Sequence, residues 1–193
     1  MMTLPTMQRC DWANNTPLET EYHDTEWGVP VHDDRLLFEM LILEGAQSGL
    51  SWALILKKRV GYLAAFDNFE VQKIALYDEV KIHSLLQNPE IIRNKLKVNA
   101  TVVNARCCIQ IQKEFGSFDA YIWSFVNGQS IQNLRRVNAE VPSTSAESDI
   151  LSKDLKSRGF KFIGSTTCYA FMQAAGMVND HLETCFRNSQ IKY

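Results

Sequence analysis

Long apolar runs are missing from this 193-residue chain: the richest stretch, residues 36–43, is interrupted by Glu39 and falls far short of the roughly 18 residues that a membrane-spanning helix needs. Residues 1–6 carry neither the basic start nor the apolar core of a secretory signal, so a cytoplasmic protein without a membrane partner is expected. The five cysteines, Cys10, Cys107, Cys108, Cys168 and Cys185, are odd in number and lack the compact spacing of a disulfide framework, which leaves reduced thiols or metal ligation. An overall basic excess is absent as well, with 20 Lys and Arg against 22 Asp and Glu and a net charge of -2, which argues against wholesale nucleic-acid binding. Strand-like alternation is scarce, and neither repeats nor low-complexity segments occur.

What is present is helical period and local asymmetry. Leu36, Leu37, Met40, Leu41 and Glu44 recur at three-and-four spacing after Asp33-Asp34, with Gly45 as a stop, and similar patterns predict helices over 51–58, 78–87, 90–113, 118–126, 147–157 and 166–175. The fold class is therefore all-α: one helical domain over 9–187, as a single body or two lobes, between flexible ends at 1–8 and 188–193. The polar stretch 128–148 reads as an exposed connection. Charge is segregated: residues 11–44 hold nine carboxylates against the single base Arg35, whereas 91–106 hold Arg93, Lys95, Lys97 and Arg106 and no acid. Lys153, Lys156, Arg158 and Lys161 add a second basic segment, so one face can be basic although the whole is not.

Three constellations carry chemistry. Cys10 and His23 near one end, with His181 and Cys185 near the other, make a Cys2His2 set; on one helical turn residues four apart converge, as tetrahedral zinc requires. Four protein ligands leave no open position, so such a metal is structural, and it clips distant parts of the chain together. Trp12, Trp27, Trp52 and Tyr22 cluster within an acidic segment, as core packing or as aromatic walls for a flat cation. Glu44 prolongs an apolar stripe towards a helix C-terminus, where the dipole disfavours a carboxylate, unless a frayed end turns it to water. Beyond it Leu50 follows Gly49 as core or as an exposed wedge, and the glycines of 158–167 suit a tight turn whose amides can bind phosphate.

These residues fall in blocks: Arg9-Cys10-x-Trp12, Tyr22-His23-Asp24-x-Glu26-Trp27-Gly28-Val29-Pro30, Leu43-Glu44-Gly45-x-Gln47-x-Gly49-Leu50-Ser51-Trp52, Trp123-Ser124-Phe125, and 158–162 through Val178-Asn179-Asp180-His181. In that order, over residues 9–185, the chain resembles the bacterial 3-methyladenine DNA glycosylase I family of the helix-hairpin-helix superfamily. The resemblance implies one structural zinc on Cys10, His23, His181 and Cys185, no organic cofactor, and a base pocket of Glu44, Tyr22 and Trp52 with Trp12 and Trp27 nearby. It implies that Gly49 and Leu50 enter the DNA stack, and that Arg93, Lys95 and Lys97 with Gly159, Gly164, Ser165 and Thr166 hold the backbone.

Two departures from the superfamily pattern matter. Thr166 stands where strand-cleaving members carry a Schiff-base lysine, and Asn179 where most carry a catalytic aspartate, with Asp180 next to it. The implied activity is monofunctional: a monomer excises 3-methyladenine from double-stranded alkylated DNA and leaves an abasic site. A base made cationic by methylation is already a good leaving group, which tolerates the loss of the aspartate. Two other classes compete, a non-enzymatic zinc-stabilised DNA-binding module and a zinc hydrolase with an open metal position.

Overall fold

The computed structural model describes residues 7–191 and is all-α, apart from one two-stranded pairing. Its helices are α1 (Pro17–Thr25), α2 (Asp34–Gln47), α3 (Trp52–Ala65), α4 (Val71–Ile74), α5 (Glu79–Gln87), α6 (Lys95–Phe115), α7 (Phe118–Ser124), α8 (Ala146–Ser157) and α9 (Ser165–Ala174). Parallel β1 (Ile131–Gln132) and β2 (Val178–Asn179) pair Ile131 with Val178.

Helix α2 is the axis of the fold. Every residue from Leu37 to Ala46 is buried, and α3, α6, α7 and α9 pack around it. A helix apolar on all sides belongs in a core, yet this one carries two carboxylates inward. Glu39 is matched, since Arg35 donates to it at 2.9 Å and Arg59 at 2.7 Å. Gly45, expected to end the helix, instead lies within it: a Cβ there would stand 3.3 Å from the Phe162 carbonyl, so its bareness lets the turn before α9 pack close.

Other boundaries follow their caps. Helix α6 starts at Lys95 rather than at 90, because the Asn94 side chain accepts from the Leu96 and Lys97 amides at 2.9 and 3.2 Å. Helix α1 escaped the periodicity altogether, since its buried residues, Glu19, Tyr22 and His23, are polar or amphipathic. Its cap was legible: Pro17 opens the helix and Thr16 Oγ1 accepts from the Glu19 amide at 3.2 Å.

The flexible ends expected at 1–8 and 188–193 lie partly outside the described residues. Residues 188–191 are tied down: Asn188 donates to the His181 carbonyl at 2.7 Å, Asn179 donates to the Ile191 carbonyl at 3.2 Å, and Ile191 is buried. The structured domain therefore extends beyond 187.

Candidate active site and metal centre

Helix α1 turns two neighbouring side chains to two sites. His23 joins Cys10, His181 and Cys185 in a buried cluster whose ligand atoms lie within 4.8 Å of one another. Cys10 Sγ to His181 Nδ1 is 3.7 Å, Cys185 Sγ to His181 Nδ1 3.5 Å, and Cys185 Sγ to His23 Nε2 3.4 Å. A tetrahedral zinc site with ordinary bond lengths has sulfur–nitrogen edges of about 3.6 Å, so the spacing fits a metal ion. Each imidazole's other nitrogen has an outer partner: His23 Nδ1 faces Asp24 Oδ1 at 2.8 Å, and His181 Nε2 faces the Trp27 carbonyl at 3.0 Å. That is the usual way of fixing a ligand's tautomer and ring plane. Arg9 in turn grips Asp24, with Nη2 donating at 2.7 Å. The proximity of the two thiols pushes Cys185 down and, together with burial, pushes Cys10 up. A dication would hold both as thiolates. Contrary to the expected helical turn, residues 181–185 form irregular turns closed by Cys185 N–H to the Leu182 carbonyl at 2.8 Å.

Tyr22 faces the other way, into a cleft of about 510 Å³ whose lining includes Trp12, Trp27, Trp52, Glu44, Gln47 and Asp180. The sequence-predicted pocket residues are thus all brought together. Tyr22 and Trp52 have ring centroids 5.3 Å apart, while Trp12 meets Trp27 edge-on at 5.1 Å and so joins the cleft to the cluster. Glu44 is 6% exposed in the last turns of α2, so the frayed-end alternative is not what forms. Burial, with no cation beside it among the described residues, pushes its carboxyl up to about 8. Burial first and then the charge of Glu44 raise the Tyr22 phenol well above its ordinary value. The Trp52 indole N–H is buried with no acceptor among the described residues.

Sequence reasoning missed Glu19, Gln47, Gln173 and Asp180 in this lining. Gln47 was within reach, being one turn beyond Glu44 once α2 runs past Gly45. Asp180 rather than Asn179 faces the cleft, held by Tyr169 at 2.6 Å, Gln173 and Asn133 at 2.8 Å, and Arg135 at 3.5 Å. Asn179 turns inward to Gln132 and to the carbonyls of Asn188 and Ile191. The stretch 128–148 is part of the site as well as a connection, because Asn138 and Val141 line the cleft. No local pattern announces those two.

The DNA-facing candidates divide. Arg93 and Lys95 are exposed just before and at the start of α6. Gly49 adopts φ +79° with open space around it, and Leu50 beyond it is 37% exposed at the tip of the α2–α3 turn. Gly164 leaves α9 without a side-chain cap, so first-turn amides there are open to an anion, and Thr166 is exposed. Other groups expected to be free are committed internally. Lys97 donates to the Ala46 and Ser48 carbonyls at 2.7 Å each, and Arg106 to the Ala75 carbonyl at 2.9 Å. The Gly159 amide closes α8 on Lys156, and the Ser165 hydroxyl meets Ser148 and Asp149.

A helical domain with a glycine hairpin before α9 and a buried carboxyl among aromatic rings in a side cleft has the fold of a helix-hairpin-helix DNA glycosylase. The comparisons narrow this class. A family model described as methyladenine glycosylase matches residues 12–188, and the chain belongs to that family. It is 47% identical over 179 residues to DNA-3-methyladenine glycosylase 1 of Escherichia coli K12, covering 93% of this chain and 96% of that protein. A crystal structure of a 3-methyladenine DNA glycosylase I superposes with a TM-score of 0.90 at 49% identity, covering 93% of this chain and 98% of the other. The Staphylococcus aureus 3-methyladenine DNA glycosylase I, whose structure addresses 3-methyladenine recognition, gives 0.91 at 36% identity over 94% of this chain and 97% of that one.

Proposed function

We propose that the chain excises 3-methyladenine from alkylated double-stranded DNA and leaves the strand uncut at an abasic site. The observation that carries this reading is Glu44, a buried carboxyl at an aromatic cleft with no cationic partner among the described residues. Such a group is costly when ionised alone and is relieved by a cation; a purine methylated at N3 brings positive charge together with an exocyclic amine that can donate to it. Tyr22 and Trp52 stack the extruded base and favour its charge, while Leu50 fills the gap left in the duplex. Arg93, Lys95 and the amides of 164–166 bind phosphates without reading sequence. As the C1′–N9 bond breaks, its electron pair neutralises the base; water oxygen bonds to C1′ and its proton passes to solvent. Asp180 provides a fixed negative edge on the cleft, and Thr166 offers no amine for a Schiff base.

In the same reading, zinc occupies the Cys10, His23, His181 and Cys185 cluster as a structural ion, one per chain, and residues 9–191 form one domain of a cytoplasmic monomer. The geometry fitted by four buried protein ligands favours this over a hydrolytic zinc, and a DNA-binding module alone would give Glu44 no task. The test is release of free base from methylated duplex. The expected product is 3-methyladenine and an alkali-labile but unbroken strand; a borohydride-trapped covalent adduct, or no released base, refutes the reading.

A further inference from the structure

Lys97 sits in the first turn of α6, but its side chain crosses to the end of α2, 51 residues away in sequence from Ala46. Four successive carbonyls at that end find partners in alternation. Gly45 and Gln47 accept from the chain's own Ser48 and Leu50 amides at 3.4 and 2.6 Å, whereas Ala46 and Ser48 accept from Lys97 Nζ at 2.7 Å each. The last carbonyls of a helix have no intrahelical partner, and a cation beside them opposes the negative end of the dipole. Lys97 is therefore the group from another element that fixes where α2 stops and how the turn carrying Leu50 leaves it. It also ties that turn to the exposed Arg93 and Lys95. Partial burial lowers the Lys97 pKa, as its enclosed position requires.

We infer that Lys97 is a positioning residue that holds the 48–51 turn in the form that enters DNA, and that it is not a phosphate ligand. The inference rests on the wedge reading of Leu50 given above. It predicts that Lys97→Met, which keeps the aliphatic stem, slows single-turnover excision from duplex by about tenfold or more, because small misplacements of a positioning element cost that much. Affinity for free 3-methyladenine stays within about twofold, and 2-aminopurine beside the lesion loses its unstacking fluorescence. The slope of log affinity against log salt stays unchanged, whereas loss of one phosphate contact would reduce it by about 0.9. Lys97→Gln, with one donor still in reach, gives an intermediate rate at the same slope, and carries the test should the methionine variant fail to fold. A slope reduced by one contact, or a wild-type rate in both variants, overturns the inference. Leu50→Ala separates the two layers: if it keeps full excision and fluorescence, the wedge reading fails and the role of Lys97 with it. If it loses both while the Lys97 variants do not, Lys97 alone is wrongly assigned.

Discussion

Tyr22 and His23 adjoin on α1, yet they serve regions built in opposite ways. Around His23 the polar groups close on one another: two thiols and two imidazoles converge, Asp24 and the Trp27 carbonyl take the outer nitrogens, and Arg9 holds Asp24. Around Tyr22 they do not close, since among the described residues Glu44 is buried without a cation and the Trp52 N–H is buried without an acceptor. Buried polar groups are ordinarily satisfied, so the first region has the character of a clip and the second of a site completed by its ligand. Glu39 sharpens the contrast, because five residues before Glu44 on the same helix an equally buried carboxylate is matched by Arg35 and Arg59.

If the clip is structural, breaking it produces the largest effect. Cys185→Ala is expected to lose the metal and to destabilise the fold by about 3–5 kcal/mol, lowering Tm by roughly 10 °C. The reason is that the cluster joins Cys10 to His181, 171 residues apart. Elemental analysis and calorimetry on one preparation check this; loss of metal at an unchanged Tm would break the comparison. In the cleft the order reverses. Glu44→Gln is expected to fold normally and to lose about ten- to hundredfold in excision rate, the worth of a charge-assisted hydrogen bond in a dry pocket. Full activity in that variant would reduce Glu44 to a strained core residue. A smaller effect tests the outer layer of the clip: Asp24→Asn should weaken metal binding by about tenfold. Excision at saturating zinc should stay unchanged.

Both regions were legible in the sequence to different depths. Their side chains were named because Cys, His, Trp and a misplaced Glu are unusual enough to be noticed singly, and the family blocks ordered them. What escaped was what only tertiary packing decides. Lys97 and Arg106 read as free cations but cap carbonyls of other elements, and Gly45 read as a stop but permits a close approach. His181 and Cys185 converge from irregular turns rather than from the expected helix, because β1 and β2 and the tied-down tail hold that segment. Asp180 was overshadowed by Asn179, since one residue of register decides which side chain faces the cleft and which the core.

The smallest expected effect separates a carboxyl left open from one that is matched, and it is read in stability rather than in catalysis. Burial raises the Glu44 carboxyl from 4.5 to about 8. Below pH 4.5 it is protonated in both folded and unfolded chains and contributes no pH dependence. Between there and pH 8 the unfolded chain has released the proton while the folded chain retains it, so the folded state loses stability as pH rises, and the loss levels off above pH 8. Glutamine at this position does not titrate. Glu44→Gln should therefore gain on the wild type with rising pH, by about 1 kcal/mol between pH 6 and 8.5 once water in the open cleft has relaxed part of the burial penalty, or roughly 2–4 °C in Tm. Glu39→Gln should instead lower Tm at both pH values, because it weakens the partner of Arg59 inside the protein. Thermal melts of the three proteins at the two pH values decide the matter. A Glu44→Gln difference that is flat with pH, or that falls as pH rises, would mean that the Glu44 carboxyl is matched by groups around the cleft and that the two regions are built alike.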